Sequence, residues 1–302
     1  MPVLETDECL ICKSKNINKY AANFSQFIAD RVFDGENKTF KLLHCKECGF
    51  AYFNYRMSDA ENLKLYENYR DFNYQQQRQK SESWYTKEIN ALIGNNKTEI
   101  DSRNIHLSKL LQNNKICLNF DKNMTVLDFG GDSGQFIPET LNNCQRYVYD
   151  ISGKTVLDGI KLLKTLEECK SQKYDLVICA HVLEHITNPD DTIKTIKSLL
   201  SQNGLLYIEL PFDSPFYKKL GDNLQYLFNP HFRFKDIVKH FFSKLKSFRK
   251  KSFDMHEHIN YFTLSSAEIL LTNNDFKIIS SEISNIKSEV GNSKIISVLA
   301  KI

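Results

Sequence analysis

Residues 126–136, VLDFGGDSGQF, decide how this chain folds. An apolar pair, Val126-Leu127, runs into an acid, Asp128. Glycines follow at 130, 131 and 134, and then a helix-like stretch. Strand, tight loop and helix in that order open a Rossmann-like, doubly wound sheet. Glycines let a backbone approach a ligand closely. Downstream, RYVYD (146–150) reads as the next strand. It ends in Asp150, 22 positions after Asp128. An acid at about that spacing grips the hydroxyls of a ribose. A dinucleotide loop reads G-x-G-x-x-G, whereas this one reads G-G-D-S-G. An acid at the strand end repels a pyrophosphate and suits a ligand with an amino group and no phosphates.

The pattern continues outward. In YDLVICAHVLEHITNPDDTIKTIKSLLSQNGLLYIELPF (174–212), Leu176 to Ala180 is the apolar run of a buried parallel strand. Asn188 or Pro189 starts a helix with Ile193, Ile196, Leu199 and Leu200 on one face. Gly204 ends that helix. LLYIEL (205–210) is the next strand, and FKIISSEI (276–283) and KIISVLAKI (294–302) are the last two. These segments, with VLDFGGDSGQF as the first motif, resemble the class I S-adenosylmethionine-dependent methyltransferases over about residues 120–302. The resemblance implies an α/β, mostly parallel sheet whose last two strands pair antiparallel. It also implies S-adenosylmethionine as cofactor. Asp128 and the backbone at Gly130, Gly131 and Gly134 would meet its methionine end, Asp150 its ribose, and His181 would lie beside the methionine part. The family motif is commonly D-x-G-x-G-x-G. Asp132 stands where the middle glycine is usual, and aspartate tolerates unusual backbone angles better than most residues.

Four of the eight cysteines form two C-x-x-C pairs, Cys9/Cys12 and Cys45/Cys48, the second followed by Gly49. Four thiolates suit tetrahedral zinc, and a closed set of four cysteines has a structural role. The stretch between the pairs has room for two strands, with Asp34-Gly35 as a turn. A zinc ribbon over residues 1–55 is therefore predicted, stabilised mainly by its metal. Residues 56–118 read as a helical connecting segment, with Ser58 and Asp101 as helix caps. Tyr66, Tyr69 and Tyr74 either pack or line a site. Residues 119–302 form the methyltransferase-like domain, interrupted by an insertion at about 212–255. Within the insertion, KHFFSKLKSFRKKSF (239–253) alternates cations and aromatics at helical spacing. It either packs on the domain or makes a weak membrane-surface contact. HEHINYF (256–262) follows, and alternation would put His256 and His258 on one side of a strand, where they either face the substrate region, as the resemblance implies, or hold a second metal.

HVLEH (181–185) admits three readings: a zinc-peptidase motif, a catalytic base, or an ordinary helix start. A peptidase needs a long zinc-binding helix, which Pro189 interrupts. Related sugar C-methyltransferases, by resemblance, place base residues at the positions of His185 and Glu184. The net charge of +3 and the absence of dense cationic-aromatic interleaving in the first 55 residues argue against nucleic acid. The acidic N-terminus lacks a signal-peptide pattern, so a cytoplasmic location is expected. A zinc ribbon before such a domain resembles enzymes that methylate nucleotide-linked sugars or glycan precursors, on carbon or oxygen. That makes carbohydrate biosynthesis the expected setting. The alternatives are a degenerate binding module, of which Asp132 would be the symptom, and an RNA or protein methyltransferase.

Overall fold

The computed structural model describes residues 3–114, 122–152, 154–216, 252–289 and 291–302. Two sheets organise them. The larger has seven strands: β4 (Thr125–Phe129), β5 (Gln145–Tyr149), β6 (Ile160–Leu163), β7 (Tyr174–Ala180), β8 (Leu200–Pro211), β11 (Lys277–Ile286) and β12 (Ser293–Lys301), in the order β11-β12-β8-β7-β4-β5-β6. The five strands from β8 to β6 are parallel, while β12 runs antiparallel to both β8 and β11. The central strands are apolar because both faces are covered. Val126, Leu127 and Leu176 to Cys179 have no exposed surface. Strand order reverses between β4 and β7, and at such a point the carboxyl ends open into a crevice.

Two helices flank β7 in the chain: α6 (Leu166–Lys170), capped by Thr165, and α7 (Pro189–Leu199). Helix α7 shows how local sequence sets these elements. Asn188 is its N-cap and Pro189 its first residue, and Ile193, Ile196 and Leu199 are buried. It ends before Gly204, contrary to the sequence reading. Leu200 is already extended, and Gly204 lies within β8, where a Cβ would come within 2.9 Å of the Tyr174 carbonyl oxygen. Gly204 thus serves close strand packing rather than helix termination. The helix expected after the glycine loop is also missing. Residues 139–141 make only a short 3-10 turn. Pro138 lacks an N–H and disfavours helix in the residue before it.

The smaller sheet has the order β10-β3-β2-β1-β9. β1 (Ile17–Phe24), β2 (Thr39–Cys45) and β3 (Ala51–Phe53) form an antiparallel meander, with helix α1 (Gln26–Val32) between the first two. Asp34 and Gly35, both at positive φ, turn the chain from α1 towards β2. The outer strands come from far downstream. β9 (Ser252–Met255) pairs parallel with β1, and β10 (Asn260–Tyr261) antiparallel with β3. Residues 239–251 of the basic stretch lie outside the described residues, and its last two residues begin β9.

Along the chain, α2 (Asp59–Tyr66), α3 (Phe72–Ser81), α4 (Lys87–Leu92) and α5 (Lys97–Asn113) connect β3 to β4. Ser58 caps α2 through a capping box with Glu61. Asn96, not Asp101, caps α5, because its side chain is the one that reaches the Glu99 N–H. Helix α8 (Leu264–Thr272) follows β10, capped by Thr263. No helix among the described residues is long and apolar enough to cross a membrane.

Candidate active site

The crevice at the strand-order reversal collects every residue the sequence marks for a cofactor. β4 delivers Asp128 and then turns sharply at Gly130 (φ +75°), whose N–H donates to the Tyr149 carbonyl at 2.7 Å. A Cβ on Gly130 would come within 2.5 Å of Val182, and one on Gly131 within 2.3 Å of the Asp128 carboxyl carbon. Only glycine lets the loop lie this close to the acid. Asp132 adopts φ +54°, as its side chain type allows, and pairs with Lys154 at 2.8 Å. Asp150, just past β5, accepts from the N–H of Asp132 (2.9 Å) and of Ser152 (2.7 Å). It therefore ties the loop down, and each carboxylate oxygen keeps a lone pair for a further donor.

Asp128 is buried, and its Oδ2 has no hydrogen-bond partner. Burial pushes its carboxyl up to about 7. Arg103 opposes that shift, while Asp150, Glu209 and Asp132 add to it. A chain of buried charges lies beside it. Arg103 of α5 meets Glu209 at the end of β8 at 2.5 Å, and Glu209 meets His181 Nε2 at 3.2 Å. His181 Nδ1 lies 3.3 Å from Glu184. Burial and Arg103 each disfavour a charged His181. The carboxylates of Glu184 and Glu209 on its two nitrogens outweigh them and raise its pKa to about 9. His181 is held at φ +55°, just past β7.

Residues 181–186 form turns, with the His185 N–H donating to the Val182 carbonyl at 2.9 Å, and α7 begins only at Pro189. His181 and His185 therefore do not share a helical face, and the helix a peptidase motif needs is missing. The two side chains point to different partners. His185 Nδ1 lies 3.0 Å from the Glu257 carbonyl oxygen and 3.2 Å from the Tyr66 hydroxyl. A carbonyl only accepts, so Nδ1 carries the hydrogen and Nε2 keeps its lone pair. The His258 ring stands 4.8 Å away, nearly perpendicular, with its Nδ1 on Asp213 at 2.9 Å. Burial lowers the pKa of both histidines. For His258 the Asp213 carboxylate more than reverses this, whereas Glu184 does not do so for His185.

His256 and His258 diverge, contrary to the expected alternation. The chain bends between β9 and β10, and His256 turns to Glu82 at 3.1 Å. Tyr66 reaches His185, while Tyr74 is fully buried against Phe27 and donates to Glu257. Arg103, Glu209, Asp213 and Glu257 escaped the sequence reading. Only Glu209 left a signal there, as an acid inside the otherwise apolar LLYIEL. Asn260, also unmarked, is wholly buried. Its side chain donates to the carbonyls of Leu183 (2.8 Å) and Ile186 (2.7 Å) and accepts from Arg56 (2.8 Å), and its N–H donates to the Glu184 carbonyl (3.0 Å). It clamps the 183–186 turn onto the small sheet.

A family described as a methyltransferase domain matches residues 103–281, more than half of the chain. The chain belongs to that family. Its larger sheet is the class I methyltransferase fold. Two ubiquinone biosynthesis O-methyltransferases are similar over short stretches. That of Glaesserella parasuis serovar 5 is 45% identical over 38 residues, 13% of this chain and 16% of the relative. That of Haemophilus ducreyi is 33% identical over 55 residues, 18% of this chain and 22% of the relative. The match spans less than a quarter of either relative. Among solved structures, the plantazolicin methyltransferase BpumL in complex with a monoazolic desmethylPZN analog and SAH aligns with a TM-score of 0.46 at 15% identity. That alignment covers 75% of this chain and 95% of that one. The magnesium protoporphyrin IX methyltransferase of Synechocystis PCC 6803 with bound SAH aligns with a TM-score of 0.42 at 17% identity, covering 67% and 85%.

The methyltransferase's crevice fits its cofactor. An unpartnered buried carboxylate oxygen on Asp128 suits an ammonium group, and the glycine loop beside it leaves no side chain in the way. The cysteines likewise fit zinc. Cys9 and Cys48 sulfurs lie 3.7 Å apart, Cys12 and Cys45 3.4 Å, and all four within 4.8 Å of one another. A tetrahedron with Zn–S bonds of about 2.3 Å has edges of roughly 3.8 Å. Thr263 donates to the Cys48 carbonyl at 2.6 Å and Asn273 to that of Ile11 at 2.9 Å. Residues at both ends of α8 thus hold the two C-x-x-C turns in place.

Proposed function

We propose that this methyltransferase acts on a small polyhydroxyl molecule, a nucleotide-linked sugar or glycan precursor, with His185 as the base. The observation that carries the reading is the free Nε2 lone pair of His185, beside the strand-order reversal and among polar groups. Tyr66, His258 and Glu184 lie around it, with Asp213 behind His258, a lining suited to hydroxyls rather than to an apolar ring. When bound, S-adenosylmethionine supplies an electrophilic methyl group on a sulfonium sulfur. The chain's own residues do the rest. Asp128 holds the cofactor's ammonium, and the backbone at Gly130, Gly131 and Gly134 borders its methionine part. Asp150 accepts from the ribose hydroxyls. His181, neutralised by Glu184 and Glu209, shapes the methionine side. His185 Nε2 takes the substrate proton, and the Glu257 carbonyl keeps the ring turned for it. Glu184, with Oε1 4.0 Å from His185 Nε2, stabilises the imidazolium that forms. Zinc at Cys9, Cys12, Cys45 and Cys48 is structural.

The test is transfer of a labelled methyl group to a panel of nucleoside-diphosphate sugars, read by mass spectrometry. Label on a sugar carbon or oxygen is expected. Label appearing only on phenols, RNA or protein would sink the sugar assignment. Tight cofactor binding with no acceptor at all would favour a binding module.

Asp128 gives the cofactor half of this reading a pH signature. Arg103, Asp150, Glu209 and Asp132 are the charged groups facing it, and its carboxyl sits at about 7. The ionised form is the one that attracts an ammonium. Affinity should rise roughly tenfold per pH unit below 7 and level off above it. Calorimetry between pH 5.5 and 7.5 should show this slope in wild type and none in Asp128→Asn. A flat wild-type profile would remove Asp128 from the ammonium site.

A further inference from the structure

We propose that Glu184, His185 and His258 form a second metal site, for a divalent transition ion, separate from the four cysteines. One ligand atom from each of the three lies within 4.8 Å of the others. Two imidazoles and one carboxylate are a donor set that such ions favour over magnesium or calcium. Both rings are already oriented as metal-bound histidines are. His185 Nδ1 donates to the Glu257 carbonyl, and His258 Nδ1 is held by the Asp213 carboxylate. Each Nε2 is thereby left to coordinate, in the carboxylate–histidine–metal arrangement for His258.

Glu184 is the second, independent observation. Its side chain is 1% exposed, yet neither carboxylate oxygen receives a well-directed hydrogen bond. Its nearest ring neighbour, His181 Nδ1, is 3.3 Å from Oε1, and His185 Nε2 is 4.0 Å away. A buried carboxylate whose only close neighbours are rings lying off its lone-pair directions gains from a further, well-directed partner. Metal–ligand bonds of about 2.0–2.2 Å require donor separations near 3.4 Å, so the three side chains draw in slightly on binding. The site does not depend on the proton-transfer role of His185. Where that role holds, the ion takes up the same lone pair, and the metal-loaded protein is the inactive form.

The test uses full-length protein with zinc at its cysteines, titrated with cobalt(II). Visible absorption and metal content after desalting are the readouts. Wild type should take up one further equivalent, with the weak bands of nitrogen and oxygen ligands and no thiolate charge-transfer band. His258→Ala should lose that equivalent. Asp213→Asn, which removes no ligand, should weaken cobalt binding by about 10- to 100-fold. Melting curves and cofactor binding verify that both variants are folded. Two results overturn the proposal: no uptake beyond the cysteines, or uptake that His258→Ala and Asp213→Asn leave unchanged. Neither readout involves substrate, so its failure is distinct from failure of the methyl-transfer reading.

Discussion

Cys45→Ser should lose the zinc proposed at the four cysteines, melt at markedly lower temperature and transfer little or no methyl. The metal part follows from the donor set: three thiolates and a hydroxyl no longer make a closed tetrahedral site. Structural zinc contributes about 10–16 kcal/mol in small domains, comparable to the whole stability of many proteins. The activity part follows from what the small sheet carries. β10 contains Asn260, which pairs with Tyr52 of β3 and holds the 183–186 turn through three carbonyls. When the cysteine cluster opens, β3 loses its anchor and the turn bearing His185 loses its clamp. Cofactor affinity should fall less than kcat, because Asp128, Gly130 and Asp150 belong to the other sheet. Zinc released by a thiol reagent, about one per wild-type chain and none per variant, is the direct measurement. Wild type without thiol-releasable zinc would reject the ribbon.

His185→Ala should leave the cofactor's Kd within about twofold and lower kcat by roughly 10²–10⁴, the range for losing a positioned proton acceptor. The residue touches Tyr66 and the Glu257 carbonyl but none of the residues placed against the cofactor. Binding and turnover therefore separate cleanly in calorimetry and single-turnover assays. Near-full turnover with the true substrate would move the base elsewhere. His258, backed by Asp213, is then the next candidate, since His256 is turned away to Glu82.

The large sheet could be read almost directly, because buried parallel strands must be apolar. Val126-Leu127, Leu176 to Ala180 and LLYIEL have little freedom to be anything else. The cysteine pairs were equally plain, as equal spacing is what a common metal demands. The positions of Asp128 and Asp150 at the ends of β4 and β5 could be read from a strand end and a fixed spacing. The rest depends on contacts distant in sequence. β9 and β10 are four and two residues long and meaningful only beside β1 and β3, some two hundred positions earlier. Tyr66, Asp213 and Glu257 converge on two histidines from three separate segments, without any local periodicity. Gly204 misled because a glycine after a helical pattern signals a cap, while here it relieves crowding against Tyr174. Pro138 carried a usable signal against the helix after the glycine loop.

The placement of β9 and β10 on the outer edges of the ribbon sheet has a consequence during synthesis. The four cysteines and the central three strands leave the ribosome before β9 and β10 do. Their edge strands, β1 and β3, then present unpaired N–H and C=O groups until residues 252–261 emerge. At bacterial or eukaryotic elongation rates of about 5–20 residues per second, that interval is on the order of ten to forty seconds. Bare sheet edges are templates for pairing with other chains. Nascent or truncated forms that stop short of β10 are therefore the ones exposed to aggregation and in need of a chaperone.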